Sequence, residues 1–292
     1  MDVVITYVNG LDPVWRAEYG KYVGESLLEK RYRDWGTLKY LLRGIQSCIP
    51  FVRNVFLVVS SDSQVPEWAD RGNLHIVIHR DIIPERFLPV FSSPAIEVFL
   101  HRIPGLDEEF LYFNDDMFPL MPCDSADFFR DGRGVIGMTR HLLAGNLFKR
   151  HCKVASDMAR KALGMPKSPF FLRPQHICSP MSRSLSEEAY KSLENEILST
   201  VTRLRSPENM NQYYYLDYMF LSGRLIPERV SNKHISLGVW SGARTADYIL
   251  NPKSKFACVN DVEMPSDTYL EKRGAIIKAF ETRFPDKSRF ER

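Results

Sequence analysis

The sequence predicts an α/β protein with a Rossmann-like, mostly parallel sheet and a C-terminal helical part. Three observations carry this reading. Up to Asp116, short apolar runs of strand length alternate with stripes of helical period, in the order β-α-β-β-α-β. The aromatic run Phe110-Leu-Tyr-Phe113 is of the kind buried in a central strand, and it stops on Asn114, Asp115 and Asp116. Past Phe118 the chain turns basic and then helical.

Asp2 to Val8 reads as the first strand, ending in the turn Asn9-Gly10-Leu11-Asp12-Pro13. A strand followed by a Gly turn and an Asp is a common nucleotide-binding edge, although no G-x-G-x-x-G is present. A helix is expected from Trp35, with Leu38, Leu41, Leu42 and Ile45 on one face. Just upstream stands Arg31-Tyr-Arg-Asp34, either a surface salt-bridge cluster or a phosphate clamp. Asn54–Ser60 and Leu74–Ile78 read as strands. Ser92–Arg102 reads as a helix capped by Ser93, with Pro94 in its first turn and Glu97, His101 and Arg102 riding on it.

In open α/β sheets, ligands bind outside the carboxyl ends of the strands. Asp115 and Asp116 therefore lie where a site is expected. Two carboxylates and an amide suit a hard divalent ion, and Mg²⁺ is often shared with substrate phosphates. A polar turn after a strand is the other reading. Further on, Ser184 with Glu187 is a capping-box candidate, and Ser206-Pro207-Glu208 reads as the start of an aromatic helix through Phe220. Lys255–Asn260 is a short strand ending on Asn260-Asp261, and a terminal helix is expected from Asp267 to Phe284. Without a repeat or linker, residues 1–292 read as a single catalytic domain. Residues 1–137 would form its core, and 138–292 the part that completes the site.

The totals are those of a globular protein, with 44% hydrophobic and 26% charged residues over 292 positions. A net charge of +3 gives no case for nucleic acid. Between Arg140 and Arg173, however, eight Lys or Arg residues face a single acid, Asp157. That stretch is either a solvated basic face or a surface for an anionic acceptor, phosphates or acidic lipid. Five scattered cysteines without a Cys-x-x-Cys pair suggest neither a zinc site nor a disulfide framework, and fit a reducing, cytoplasmic setting. No apolar run approaches the length of a membrane span.

Four ordered blocks make the chain resemble the Stealth family of sugar-phosphate transferases. The first is Asp2-Val-Val-Ile-Thr-Tyr-Val-Asn-Gly-Leu-Asp-Pro13. The second runs from Arg31-Tyr-Arg-Asp34 through Phe91-Ser-Ser-Pro-Ala-Ile-Glu97 and His101-Arg-Ile-Pro-Gly105 to Asn114-Asp-Asp116. The third holds Gln175-His176 and Arg205-Ser-Pro-Glu-Asn209, and the fourth is Lys255-Phe-Ala-Cys-Val-Asn-Asp261 with Phe290-Glu291. The family includes bacterial capsule-polymer phosphotransferases and is related to the animal N-acetylglucosamine-1-phosphotransferase of lysosomal tagging. Two departures stand out: the third block is loose after His176, and Val262 replaces the last acid of an Asn-Asp-Asp run.

The resemblance implies a glycosyltransferase-A-like core and transfer of a sugar 1-phosphate from a nucleotide diphosphate sugar to a glycan or polysaccharide hydroxyl, with release of a nucleoside monophosphate. It implies that Asp115 and Asp116, joined by Asp261, hold Mg²⁺ or Mn²⁺. Arg205 would face the transferred phosphate, with Arg33 and Arg102 as partners. His176 would act as base on the acceptor, with Glu97 as rival base or orienting residue. Asn9, Gly10 and Asp12 would contact the nucleotide, and Asp34 is a further candidate for substrate binding. The strand ends at Gly10 and Asp116 should then meet in one pocket. Capsule synthesis would put the protein at the inner face of the membrane, with a candidate peripheral contact through the basic stretch. A metal-dependent glycosyltransferase releasing nucleoside diphosphate and a non-catalytic sugar-binding protein are the alternatives.

Overall fold

The computed structural model describes residues 1–23 and 32–292. Arg31 of the second block lies outside the described residues. The chain divides into two compact units that interleave in sequence. The first comprises Met1–Val4, Val77–Tyr112 and Ser125–Val230, and the second Ile5–Ile76, Phe113–Asp124 and Ser231–Arg292.

The principal sheet has five strands among the described residues, β1 (Asp2–Thr6), β2 (Val55–Val59), β3 (Leu74–Ile78), β4 (Glu109–Asn114) and β10 (Ser179–Ser182), in the order β10-β4-β1-β2-β3. Between β1 and β2 the chain forms α1 (Pro13–Val23) and α2 (Leu38–Cys48). Such helical crossovers are the connections of a parallel-rich sheet, which bears out the α/β class. β10 is the exception. It runs antiparallel to β4, with Ser179 opposite Tyr112 and Ser182 opposite Glu109. Val3, Val4, the whole of β2 and Phe110 to Phe113 are buried, as continuous apolar runs in a covered sheet should be.

Within the second unit, β5 (Met117–Pro119) pairs antiparallel with β13 (Phe256–Asn260), and β12 (Asn232–Ser236) runs parallel to β13. Helix α8 (Gly242–Leu250) joins β12 to β13, and α9 (Ser266–Arg283) follows. A Cβ at Gly242 would come within 3.0 Å of the Lys272 Cα, so the two helices pack closely there. The Tyr40 ring of α2 stacks on Phe280 of α9 at 5.6 Å.

Within the first unit, α3 (Ser93–Glu97) precedes β4, and short strands β6 (Phe129–Arg130) and β7 (Arg133–Val135) pair with β11 (Leu225–Ile226). A ribbon of β8 (Met138–His141) and β9 (Phe171–Pro174) brackets α4 (Leu147–Ala162). Helices α5 (Arg183–Ser192), α6 (Glu194–Thr200) and α7 (Tyr213–Leu221) complete the unit. The aromatic face of α7 is core, with Tyr213, Tyr214, Tyr215 and Tyr218 all buried.

Several local readings are corrected. Helix α1 was not foreseen: its apolar anchors are Trp15 and Tyr19, one turn apart and stacked at 4.9 Å. The segment from Ser92 to Arg102 is five residues of α-helix and a 3₁₀ turn, and Ser93 does not cap it. Ser182, not Ser184, caps α5 by accepting from the Leu185 N–H. Ser206-Pro207-Glu208 forms a turn closed by the Ser206 N–H on Asn209 Oδ1 at 2.8 Å. The helix itself begins at Tyr213.

Candidate active site

In the second unit the loop after β1 is held by an interlocking set of polar side chains. The Gly10 N–H donates to the Tyr32 carbonyl at 2.8 Å. A Cβ at Gly10 would lie 2.2 Å from that same oxygen, so only glycine fits this close approach. Trp15, Tyr19 and Tyr32 form an aromatic cluster beside it, with centroids 4.7 to 5.0 Å apart. Asp12 is buried and accepts from Ser63 Oγ at 2.6 Å, Gln64 Nε2 at 2.7 Å and the Val14 N–H at 2.9 Å. Burial alone would raise its pKa. The hydrogen bonds from Ser63, Gln64 and the backbone override that and hold it below the usual carboxylate range. Gln64 also bonds Asn9 in both directions, accepting from its N–H at 2.6 Å and donating to its carbonyl at 3.1 Å. Gly10 and Asp12 thus build the loop. Asn9 lines a cleft of about 280 Å³ together with Tyr7, Asp34, Ser63, Gln64 and Trp68.

The acidic end of β4 belongs to the same unit. The Asp116 carbonyl accepts the Val259 N–H of β13 at 2.8 Å, and its Oδ2 accepts the Cys258 thiol at 3.3 Å. Burial, then Asp116 itself, push that thiol well above its ordinary pKa, so it stays a protonated donor. Asp116 Oδ1 and Asn114 Oδ1 are buried with no hydrogen-bond partner among the described residues. Burial, then the charges of Asp116 and Asp34, push the Asp115 carboxyl up to about 8. Asp34 accepts from the Tyr7 hydroxyl at 3.2 Å and the Gly36 N–H at 2.8 Å. Burial first, then Asp34 and Asp115, raise the Tyr7 phenol's pKa, so residues following β1 and β4 share one electrostatic neighbourhood.

Asp261, at the end of β13, accepts from Trp35 Nε1 at 3.0 Å and the Val262 N–H at 2.7 Å. Arg33 lies 4.0 Å from its Oδ1 and stacks 4.6 Å over the Tyr269 ring. Burial raises the Asp261 pKa, and Trp35 and Arg33 oppose that rise. This carboxylate is therefore already served by an indole and a guanidinium.

The donor set at the end of β4 fits a hard divalent cation. Crowded carboxylates, one of them pushed up to about 8 by burial and its acidic neighbours, and two buried oxygens without hydrogen-bond partners among the described residues are what an oxygen-ligated ion would satisfy.

In the first unit, His176 follows β9. Gln175 anchors it, donating its N–H to Gly137 O at 2.7 Å and its Nε2 to Val230 O at 2.5 Å. His176 Nδ1 is 3.1 Å from the Tyr213 hydroxyl, and Phe148 packs edge-on at 5.6 Å against both rings. Arg205 is exposed and donates to Ser93 Oγ. Asn209 clasps its loop, accepting from the Ser206 N–H and donating to Thr200 O at 2.5 Å and Thr202 Oγ1 at 2.8 Å. Glu97 is buried, with Oε1 accepting from Tyr112 at 3.3 Å and Oε2 from the Gln212 N–H at 3.1 Å. Burial raises its pKa, while the Gln212 bond and the Arg205 charge pull it back. Arg102 stacks on Tyr190 at 4.7 Å and Phe99 at 5.2 Å, and pairs with Glu194 at 3.8 Å.

Sequence reasoning passed over Tyr7, Gln64, Trp35, Cys258 and Tyr213. Gln64 and Trp35 sit far in sequence from what they hold, and no local pattern marks them. Cys258 could have been found, since it lies two residues before Asn260 in an apolar run.

Residues 31–135 match the family described as Stealth protein CR2, conserved region 2. The chain is 31% identical to the receptor polysaccharide phosphotransferase WefC of Streptococcus oralis, over 100% of this chain and 99% of the relative. It is 29% identical to the capsular polysaccharide phosphotransferase WcwK of Streptococcus pneumoniae, over 100% and 99%. The exopolysaccharide phosphotransferase SCO6023 of Streptomyces coelicolor is 32% identical, over 100% of this chain and 52% of the relative. Among solved structures, the galactosyltransferase LgtC aligns over 97% of this chain and 96% of its own at 10% identity, with a TM-score of 0.40.

Proposed function

The chain belongs to the Stealth family, and from that premise we propose that it moves a sugar 1-phosphate from a nucleotide diphosphate sugar to a glycan hydroxyl in capsular or exopolysaccharide synthesis. The observation that carries the reading is the end of β4, where Asp115 is pushed up to about 8 beside an Asp116 with an unpartnered oxygen. Such a cluster suits the diphosphate of a sugar donor, delivered with a divalent ion.

Asp115 and Asp116 would hold the ion, Mg²⁺ or Mn²⁺, with Asn114 beside them. When bound, the ion supplies charge neutralisation on the diphosphate. The donor's nucleoside sits in the cleft lined by Tyr7, Asn9 and Asp34. Arg205 faces the transferred phosphate, and Ser93 and Glu97 orient its guanidinium. Arg33 keeps the strand-end acids from repelling the substrate further.

The acceptor hydroxyl oxygen bonds to the sugar-bearing phosphorus. The P–O bond of the diphosphate bridge breaks, and nucleoside monophosphate leaves. His176 takes the hydroxyl proton. That role needs the tautomer in which Nδ1–H donates to the Tyr213 oxygen and Nε2 carries the lone pair. With Val262 in place of an acid, the β4 carboxylates would be the ones to hold the ion.

Calorimetric titration with nucleotide sugars, with and without Mg²⁺, tests the donor half. Binding that needs the ion in the wild type and is lost in Asp115→Ala supports it. Ion-independent binding of equal strength in both proteins removes it.

A further inference from the structure

The ribbon of β8 and β9 ends in an apolar tip. His141 pairs with Phe171 at its last register position, and the chain passes directly into Leu142 and Leu143 on one side and out of Phe170 on the other. These three side chains are 54%, 75% and 50% exposed, although each is large and apolar. Cations lie close to them along the chain. Lys149 and Arg173 both depress the His141 pKa, behind burial as the first cause, which places both charges beside the tip. Arg140 lies on β8 one residue before His141, and Lys167 precedes Phe170 by three. Lys153 and Lys161 are already paired, with Asp157 and Glu196. Arg140, Lys149 and Lys167 make no ion pair among the described residues.

We propose that this tip docks the protein on an anionic phospholipid bilayer, with Leu142, Leu143 and Phe170 entering the acyl boundary and Arg140, Lys149 and Lys167 meeting headgroup phosphates. Charge selects the occupant: eight cations against one acid from Arg140 to Arg173 match a surface of one sign. The protruding groups select it further. Two leucines and a phenylalanine offer a sugar chain no hydrogen bonds, whereas an interfacial anchor pairs such side chains with a rim of Lys and Arg. Among the described residues no helix is long and apolar enough to cross a membrane, so docking here is peripheral.

Sedimentation of the full chain with vesicles tests this, with no need of activity. The wild type should pellet with phosphatidylcholine vesicles containing phosphatidylglycerol at low salt, be released at high salt, and ignore phosphatidylcholine alone. The Leu142→Ser, Leu143→Ser, Phe170→Ser combination should weaken binding at least tenfold. Each of Arg140→Gln, Lys149→Gln and Lys167→Gln should weaken it about fivefold. Leu143→Glu alone, at the most exposed of the three sites, covers the case in which the triple variant misfolds, and should also weaken binding at least tenfold. An exposed leucine elsewhere, Leu250→Ser, should change nothing. Absence of wild-type binding at low salt, or binding unaltered in Leu143→Glu, overturns the proposal. So does tip-dependent binding of a soluble anionic oligosaccharide without vesicle binding, which would make the tip a glycan site.

Discussion

The Cys258 thiol donates to Asp116 Oδ2 at 3.3 Å, one residue before the strand N–H that holds the Asp116 carbonyl. Strand β13 therefore fixes both the backbone and one carboxylate oxygen of Asp116, and the other oxygen has no hydrogen-bond partner among the described residues. Asp115→Ala and Asp116→Ala should each cost both cation-dependent donor binding and turnover, because the charge they hold acts in ground and transition states alike. Cys258→Ser keeps a donor toward Oδ2 and should stay within a few-fold of wild type in both. A Cys258→Ser protein that has lost donor binding would make the thiol itself a participant.

Proton and cation should compete for Asp115. Burial, then the charges of Asp116 and Asp34, push its carboxyl up to about 8. Below that pH, binding the ion must displace a proton, so affinity should rise roughly tenfold per pH unit up to about 8 and then level off. Calorimetry in buffers of different ionisation enthalpy would register the released proton at pH 7. A pH-independent Mg²⁺ affinity between pH 6 and 8 contradicts the assignment.

His176 and Arg205 should separate kinetically from the acidic pair. His176→Ala should lower kcat about 10²–10⁴-fold while leaving donor affinity nearly intact, and at saturating cation should abolish the acidic limb of the kcat profile. Tyr213→Phe removes the partner 3.1 Å from Nδ1. It should lower kcat by a smaller factor and leave KM for the donor unchanged. Arg205→Lys keeps the charge and loses the planar fork, so turnover should fall well below wild type. Near-normal turnover and an unchanged pH profile in His176→Ala would transfer the base role to Glu97.

Glu291 belongs to the last motif block but acts in stability. Its two oxygens receive Arg43 Nε at 2.8 Å and Nη2 at 2.7 Å, and Arg43 Nη1 donates to Phe284 O at 2.8 Å. Both side chains are nearly buried, at 10% and 4% exposure, so removing one partner strands the other. Glu291→Ala should cost about 3–5 kcal/mol in denaturant unfolding. Burial would raise the Glu291 pKa, and Arg43 and Ser288 together hold it below its ordinary 4.5. A depressed folded pKa means this stabilisation is full above 4.5 and is lost as pH falls through the lower folded value. A loss under 1 kcal/mol in Glu291→Ala would contradict the buried-pair account.

The sheet was legible because its strands announce themselves. Val55 to Val59 and Phe110 to Phe113 are apolar runs that only a covered sheet can use, and Leu74–Ile78 falls where its pattern puts it. The helices were harder. Ser93 and Ser206 have the chemistry of caps, but tertiary partners claim them: Arg205 takes the Ser93 hydroxyl, and Asn209 closes the Ser206 turn. Strand β10, Ser-Pro-Met-Ser, has no strand signature and exists because the edge of β4 pairs with it. In the site, motif residues divide into those that build and those that face outward. Sequence cannot tell Asp12, bound by Ser63 and Gln64, from Asp116, with an unpartnered oxygen, since both follow a strand.

The central claim is that the bond broken lies between the two phosphates of the donor. Incubating the full chain with Mg²⁺, a panel of nucleotide diphosphate sugars and an acceptor glycan, then separating the nucleotides by ion-exchange chromatography, reads that bond directly. Nucleoside monophosphate should appear in step with phosphodiester in the glycan, and His176→Ala should slow both together. Nucleoside diphosphate, with phosphate-free sugar on the acceptor, would contradict sugar-phosphate transfer and make the enzyme a glycosyltransferase.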